Sequence, residues 1–185
     1  MRIAVPLRRA YKLINHGPTT LITSAWGERR NVMAAAWVMG LDFEPARIAA
    51  VIASDTFTRQ LVEASGEFAV NVPTVAMARA VYEAGQVSGE DEDKFAIHAF
   101  ATSPASIVGA PLIDGCAAWL ECRVIPEPGV QARYDLFVAE VVAAWADGES
   151  FVNGVWQFPS DDKRTLHHLS DGVFLASGDR VDAKS

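Results

Sequence analysis

The apolar stretches of this chain are short, and turn residues rather than long helices separate most of them. Runs of this length with alternating or continuous apolar residues predict strands, because successive strand residues face opposite sides of a sheet. Strands joined mainly by turns pair antiparallel, whereas a parallel sheet needs a crossover connection after nearly every strand. The predicted strands are 19–25, 31–38, 46–53, 67–72, 112–125, 134–145, 165–169 and 172–176.

Two short helices interrupt these strands. Helical spacing predicts one helix over 57–65, stopped by Gly66, and a second over about 74–84, stopped by Gly85. Residues 86–103 are expected to form a loop, and the segment from Pro126 to Gly129 a turn. The pattern predicts a mainly β fold, an antiparallel barrel with helices at its ends. No linker or repeat divides the chain, so we expect one domain, 1–185, with its core at about 16–178.

Composition narrows the class of protein. Half of the 185 residues are hydrophobic and 21% are charged, which is typical of a globular protein. The formal charge is −7 and the basic pairs are scattered, so a nucleic-acid-binding surface is not expected. The longest apolar run, 32–41, is well short of the ~18 residues that would suggest a membrane span. The N-terminal residues lack the order of a secretory signal, so we expect a cytoplasmic protein without membrane contact.

Cysteine and histidine suggest no metal site. Cys116 and Cys122 lie on one predicted strand, about 20 Å apart, so they are expected to be buried free thiols. His167 and His168 would point to opposite faces of a strand and cannot hold one metal together. The common phosphate-loop, zinc-protease and nucleophile-elbow motifs are absent from the sequence. No residue is therefore predicted to act as a catalytic acid, base or nucleophile.

A strand gives way to a helix within hydroxyl-bearing residues at 54–59. Ser54, Asp55, Thr56 and Thr58 are followed by Arg59, so free backbone N–H groups, hydroxyls and a guanidinium are expected to converge. Such a helix start can bind phosphate. Ordinary capping by Asp55 or Thr56 explains the same residues and, on this segment alone, is the favoured reading.

Two further segments allow a functional and a structural reading. Small residues in 31–37 leave room for a flat ligand beside the backbone, with Trp37 as a wall, or they fill a barrel interior that alternates small and large residues. The segment 88–95 is either a loop that closes over an anion through Lys94 or a solvated acidic loop.

Taken together and in order, these segments resemble the flavin reductase-like family, whose members bind FMN on a split β-barrel. The similarity covers most of 16–142. It is carried by His16-Gly17-Pro18, Thr23-Ser24, Asn31 through Trp37, Ser54-x-x-Phe57-Thr58-x-x-Leu61, Phe68 through Pro73, Ser88-Gly89, Asp93-Lys94-Phe95, Gly109 through Ile113, Leu120-Glu121-Cys122 and Leu136 through Val141. The family often has Thr or Ser where this chain has Ala34, and its C-terminal aromatic and glycine pattern is looser here.

The resemblance implies an antiparallel split β-barrel of Greek-key type with a few short flanking helices, and FMN as the cofactor. It places the FMN phosphate near Ser54, Thr58 and the 88–94 loop, and the flavin ring beside 31–37. With that, phosphate binding at 54–58 becomes the favoured reading over simple capping. The cofactor-binding residues it implies are Asn31, Met33, Ala34, Ala35, Ala36, Trp37, Ser54, Asp55, Phe57, Thr58, Asn71, Ser88, Gly89 and Lys94.

The expected activity follows from the same resemblance. It implies a flavin reductase-type oxidoreductase that passes electrons from NAD(P)H to flavin, with a small molecule or free flavin as acceptor. A non-catalytic FMN-binding or electron-carrier protein is the alternative, and a split barrel that binds another ligand instead of flavin is a third.

A homodimer is expected both from the resemblance and from the aromatic content. The chain has five Trp and nine Phe, with Trp119, Trp145 and Trp156 on or near the later predicted strands. One barrel of this size has limited interior room, so some rings should lie on a face that a partner covers.

Overall fold

An antiparallel sheet of eight strands forms the centre of the computed structural model, which describes residues 1–183. The strands are β1 (Arg2–Ala4), β2 (Thr20–Trp26), β3 (Arg29–Ala35), β4 (Val38–Phe43), β5 (Ala46–Val51), β6 (Glu67–Val72), β7 (Thr102–Ser103), β8 (Leu112–Ile113), β9 (Ala118–Ile125), β10 (Leu136–Asp147), β11 (Phe151–Val152), β12 (Val155–Trp156), β13 (Leu166–Ser170) and β14 (Val173–Ala176). The central sheet has the order β3-β2-β6-β9-β10-β5-β4, and β1 pairs with β10 beside that path.

Short helices lie between the strands. They are α1 (Phe57–Ser65), α2 (Ala78–Ala84), α3 (Lys94–Ile97) and α4 (Pro128–Tyr134), with 3₁₀ turns at Leu7–Leu13, Val75–Met77 and Asp161–Lys163. Three small two-stranded sheets, β7–β8, β11–β12 and β13–β14, lie outside the central sheet within the described residues. No helix among residues 1–183 is long and apolar enough to cross a membrane.

The connection between β3 and β4 shows that the sheet is a split barrel. These strands are the two ends of the strand order, yet only Ala36 and Trp37 separate them along the chain. The sheet must therefore curl until its two edges meet at this connection. The edges share no backbone ladder, so the barrel stays open between them. The predicted antiparallel split barrel is confirmed.

Two apolar clusters pack on the two faces of the sheet. Ile22, Phe68 and Phe137 belong to the cluster inside the barrel. Leu21 belongs to the other cluster, which also contains Trp119 and side chains from α2 and α3. Neighbouring residues such as Leu21 and Ile22 are both buried, so β2 is buried almost continuously rather than at alternate positions.

Several predicted elements differ from the structure, and one of them is the predicted loop 86–103, which contains α3 and β7. The predicted strand 31–38 ends at Ala35, and a strand that was not predicted, β4, follows it. The predicted strand 112–125 is divided because the chain turns at Gly115, whose φ is 84°. The predicted turn at Pro126 to Gly129 instead starts α4, where a proline in the first helical turn is well tolerated.

The cysteines are buried free thiols, as predicted. Their positions differ from the prediction, because Cys116 precedes β9 and only Cys122 lies on that strand. Burial raises the pKa of both thiols well above the ordinary range, so neither forms a reactive thiolate near neutral pH.

Candidate functional site

A cavity of about 570 Å³ lies at the β3–β4 connection, where the two edges of the barrel meet. We call it the alanine cavity, because one wall is formed by Ala34, Ala35 and Ala36, at the end of β3, and by Ala53, shortly after β5. The opposite wall comes from α2 and from the β13–β14 hairpin. The lining residues are Thr19, Met33, Ala34, Ala35, Ala36, Trp37, Val51, Ala53, Val81, Tyr82, Gly85, Gln86, His168, Asp171, Gly172 and Phe174.

Small side chains leave this space open. Ala34, Ala35 and Ala36 end at Cβ, and Gly85 faces them with no side chain. A Cβ placed on Gly85 would lie 3.8 Å from the Cβ of Ala34. The five predicted residues from Met33 to Trp37 therefore all line one cavity. The barrel-interior reading also holds in part, since Ala35 belongs to the inner core and Met33 packs against it.

Asn31, Thr58 and Gly89 meet near the start of β3, two residues before the cavity lining begins at Met33. The Asn31 side chain is buried and its Nδ2 donates to the Thr58 Oγ1 at 2.9 Å. Its Oδ1 is buried without a hydrogen-bond partner in the part of the chain that the structure describes. A Cβ on Gly89 would lie 1.9 Å from that oxygen, so only glycine allows the 88–89 loop to approach so closely. An unpaired buried oxygen beside a glycine loop is the kind of position where a ligand donor is expected.

The start of α1 is capped by Thr56, one of the two residues that the sequence predicted as the cap. Thr56 is the N-cap and accepts from the backbone N–H of Arg59 at 3.2 Å, whereas Ser54 and Asp55 are exposed. Phe57 is buried, and the Arg29 guanidinium stacks on its ring, 4.1 Å from the ring centroid. Ser54 is exposed and directly follows Ala53 in the chain, and Ala53 lines the cavity.

Arg59 does not face the helix start, contrary to the expectation from the sequence. Its guanidinium is buried and forms ion pairs with Glu63 at 2.5 Å and with Asp135 at 3.0 Å. It also donates to the carbonyl oxygen of Ile52 at 3.0 Å. These partners occupy the guanidinium, so it supports the fold rather than offering a charge to a phosphate.

Two predicted site residues lie outside the cavity wall and hold backbone segments. Lys94 is buried, and its Nζ donates to the carbonyl oxygen of Ala84 at 2.7 Å, which satisfies the C-terminal end of α2. Burial lowers the pKa of Lys94. Asn71 donates through Nδ2 to the Leu21 carbonyl at 2.9 Å and accepts from the Ile113 N–H at 2.8 Å through Oδ1. Ser88, by contrast, is exposed on the loop that starts at the cavity.

The far wall contains residues that were not predicted. Tyr82, His168 and Phe174 line the cavity, and the His168 and Phe174 rings contact edge to face at 5.6 Å. Gly172 has a φ of 78°, and a Cβ there would lie 3.0 Å from the Tyr82 ring. For His168 the sequence contained a usable signal, because adjacent histidines on a strand point to opposite faces of the sheet. His168 faces the cavity. His167 lies on the other face, where its Nδ1 forms a hydrogen bond with the Gly17 carbonyl oxygen.

The chemistry of this wall suits a flat ring system. The lining is mostly apolar, and backbone N–H and C=O groups of the alanine segment lie beside the open space. Within residues 1–183, no group of three His, Cys, Asp or Glu side chains could hold a metal ion. The wall therefore offers a mostly apolar surface that can accommodate a flat ligand.

Comparisons with known proteins point to one family. A model of the "Flavin reductase like domain" matches residues 14–161. The uncharacterized protein YddH of Escherichia coli K12 is 46% identical over 184 residues, which are 98% of this chain and 97% of that protein. An uncharacterized protein of Archaeoglobus fulgidus is 35% identical over 78% of this chain and 79% of its own length.

Solved structures agree with that result. The structure of an FMN-binding domain of a flavin reductases-like enzyme from Shewanella baltica OS155 is 41% identical and superposes with a TM-score of 0.96, covering 99% of this chain and 97% of that one. Flavoredoxin of Desulfovibrio vulgaris (Miyazaki F) is 26% identical, with a TM-score of 0.78 and 90% and 89% of the two chains covered.

Proposed function

This chain belongs to the flavin reductase-like family, and from that premise we propose that it is an FMN-dependent oxidoreductase that takes electrons from NADH or NADPH. The electrons pass to flavin and then to a small-molecule or free-flavin acceptor. FMN is the cofactor, in keeping with the FMN-binding relative that is 41% identical. The observation that carries the proposal is the alanine cavity, whose 570 Å³ volume and small-residue wall suit a flat ring.

The residues present fit the two halves of FMN. We assign the flavin ring to the wall formed by Met33, Ala34, Ala35, Ala36 and Trp37, whose backbone groups can read a polar ring edge. We assign the phosphate, and the hydroxyl-bearing chain that joins it to the ring, to the residues beside that wall, namely Asn31, Ser54, Asp55, Phe57, Thr58, Ser88 and Gly89. The unpaired Asn31 Oδ1 suits a donor of the cofactor, and the exposed hydroxyls of Ser54 and Ser88 suit its phosphate.

Lys94 and Asn71 act at a distance in this assignment. Lys94 fixes the end of α2 by bonding the Ala84 carbonyl, and so positions Gly85 and the 88–89 loop. Asn71 ties β2 to the segment at Ile113. Both are therefore positioning residues for the cofactor rather than direct contacts.

The bound FMN supplies the capacity to accept a hydride and release electrons. The chain's own residues orient the ring and exclude water from it. The β13–β14 hairpin covers one side of the cavity through His168 and Phe174, and Tyr82 packs below Gly172. The electron donor approaches between this hairpin and Trp37, the most exposed aromatic ring of the wall, at 74% exposure.

A homodimer completes this proposal. Trp37, Met39, Leu41 and Phe43 lie at alternate positions on and beside the end strand β4, and they are 74%, 59%, 52% and 59% exposed. An apolar stripe of this kind is typical of an interface. It begins at the cavity wall, so a second copy bound there would also border the flavin. The rings expected on this face were different ones, since Trp119 is buried and the indoles of Trp145 and Trp156 donate to Glu121 and the Lys12 carbonyl.

The compartment is part of the same proposal. Two buried free thiols fit the reducing conditions of the cytoplasm, where we place the protein.

The test of function is direct. The purified protein should carry FMN with the visible spectrum of an oxidised flavin, and NADH or NADPH should bleach that spectrum and be consumed on turnover. FMN without nicotinamide oxidation would favour the electron-carrier alternative, and loss of all flavin binding would contradict the proposal. Light scattering should give roughly 40 kDa for a two-fold dimer, against 20.0 kDa for one chain.

A further inference from the structure

A second cavity, of about 640 Å³, lies on the other side of β13 from the alanine cavity. We call it the aromatic cavity. Its walls come from the 3₁₀ turn Leu7–Leu13, the β11–β12 hairpin and the segment after β14. The lining residues are Lys12, Asn15, His16, Phe151, Gly154, Val155, Trp156, Gln157, Phe158, Arg164, Gly178, Asp179 and Arg180. The two cavities share no lining residue.

Aromatic rings form a fixed wall in this cavity. Trp156 and Phe158 are stacked, with ring centroids 5.4 Å apart and an angle of 18° between the planes. Phe151 and His16 contact Trp156 edge to face at 5.1 and 5.4 Å. The Trp156 Nε1 donates to the Lys12 carbonyl at 3.1 Å, which fixes the indole plane. A planar ring added to this stack would gain aromatic contact without first ordering the wall.

Positive charge is concentrated at one end of the cavity. The Lys12 Nζ lies 3.4 Å from the Gly154 carbonyl oxygen, and in residues 1–183 it has no carboxylate partner. The Arg9 guanidinium is at the same end, because a Cβ on Gly154 would lie 3.3 Å from its Nη1. At the other end, carboxylates already balance the guanidinium of Arg164, which is 2.9 Å from Asp161 and 3.1 Å from Asp179.

His16 gives the same wall an unpaired polar atom. Its Nε2 hydrogen-bonds the Thr165 hydroxyl at 2.9 Å, and that hydroxyl also contacts the Ser177 hydroxyl. The His16 Nδ1 is buried and has no hydrogen-bond partner among the described residues. Unpaired buried polar atoms are uncommon, and this one belongs to a ring of the cavity wall.

We propose that the aromatic cavity is a second ligand site, which binds a planar aromatic molecule carrying a phosphate or a carboxylate. The ring extends the Trp156–Phe158 stack, and the anionic group lies at the Gly154 end beside Lys12 and Arg9. The site is separate from the FMN site, so it binds its ligand while FMN remains in place.

The test uses the FMN-loaded protein and probes that separate the requirement for a planar ring from the requirement for an anionic group. AMP and 4-hydroxybenzoate each combine a planar ring with an anion, and isothermal titration should give one equivalent per chain for at least one of them. The flavin spectrum should show that no FMN is released. AMP alone would identify a phosphate ligand, and 4-hydroxybenzoate alone a carboxylate. Adenosine, phenol and inorganic phosphate each lack one requirement and should bind at least about tenfold more weakly.

Two variants with matched controls locate the bound probe. Lys12→Gln should weaken it about tenfold, the size expected when a hydrogen bond to a charged group is lost. Phe158→Ala should weaken it about fivefold or more through the lost stacking. Arg133→Gln and Tyr134→Ala remove the same kinds of group from α4, outside both cavities, and should leave binding unchanged. FMN content and melting temperature identify any variant that fails to fold.

The proposal is overturned if neither anionic probe binds with a Kd below about 10 mM. It is equally overturned if adenosine or phenol binds as tightly as its anionic counterpart. Displacement of FMN by the probe, or equal weakening in the two control variants, would place the binding elsewhere and would also overturn it.

Discussion

The two cavities on either side of β13 are built in opposite ways. The alanine cavity exists because side chains are missing from its wall, at Ala34, Ala35, Ala36 and Gly85, so the backbone itself faces the space. The aromatic cavity is made by side chains that are present, with rings and cations placed by hydrogen bonds. A site of the first kind is destroyed by adding atoms, and a site of the second kind by removing them. The comparison also explains why the first left a clear trace in the sequence and the second did not.

Adding atoms to the alanine cavity should give the largest effect. Ala34→Leu places three further carbon atoms where we assign the flavin ring. Overpacking of this kind costs about 1–3 kcal/mol or more, so FMN affinity should fall up to about a hundredfold. Flavin fluorescence titration measures the loss, and thermal melting should show that the fold persists. Ala101→Leu, on an exposed loop outside both cavities, is the control and should bind FMN normally.

The second largest effect should be that of acid on the free energy of unfolding, through His16 in the wall of the aromatic cavity. Burial, with a smaller contribution from His167, lowers the pKa of His16 to about 4 from the usual 6.5. The unfolded chain then binds a proton at His16 more readily than the folded chain, so stability falls as pH drops from 6.5 towards 4. Between pH 7 and pH 5 this amounts to about 2 kcal/mol of the free energy of unfolding. Denaturant melts of the wild type and of His16→Gln at both pH values measure it. An equal pH dependence in the two proteins would contradict this role for His16.

Gly89, which lies against the Asn31 side chain, should give an effect of intermediate size. Gly89→Ala introduces a Cβ 1.9 Å from the Asn31 Oδ1, so either the 88–89 loop or the Asn31 amide must move. We expect FMN affinity to fall about tenfold, in line with the strain of a small-to-large change. Gly129→Ala meets nothing within 4 Å and serves as the matched control. Equal FMN titrations for the two variants would remove Gly89 from the site.

Substitution of Lys94 should have the smallest effect, and it should weaken the binding of FMN and of riboflavin alike. Because its Nζ bonds the Ala84 carbonyl, Lys94→Gln loosens the loop rather than removing a phosphate contact. FMN and riboflavin, which lacks the phosphate, should lose affinity equally, by about threefold to fivefold. Titration of both flavins decides the matter. A loss confined to FMN would show that the ammonium contacts the phosphate, as the family resemblance implied.

The sequence predicted those parts of the molecule that depend on local pattern. The helix at 57–65 and the strand at 67–72 have the predicted bounds, because spacing and a following glycine or proline define them. The strand β4 was missed because Met39, Leu41 and Phe43 are exposed, so its apolar pattern does not mark a core. The division of 112–125 depended on the backbone turn at Gly115, which composition does not show.

The residues of the candidate site, too, could be predicted only where they depend on local sequence pattern. The small residues from 33 to 37 are contiguous, so one wall of the alanine cavity could be predicted. Tyr82, His168 and Phe174 come to the other wall from distant parts of the chain, and only the packed fold brings them there. For Arg59 and Lys94 the residue type was suggestive, but burial gave each a partner within the fold.

The alternation of two histidines on β13 has a consequence for how the cavities communicate. His168 lines one cavity, and His167 lies 5.6 Å from the His16 ring that lines the other. A single peptide unit thus joins a residue of one wall to a residue that contacts the other wall. If a ligand on one side shifts that strand, it changes the affinity of the other side by some factor, and thermodynamic linkage requires the reverse effect to have the same factor. Flavin titrations with and without the second ligand would measure this coupling in one direction, and thereby fix it in both.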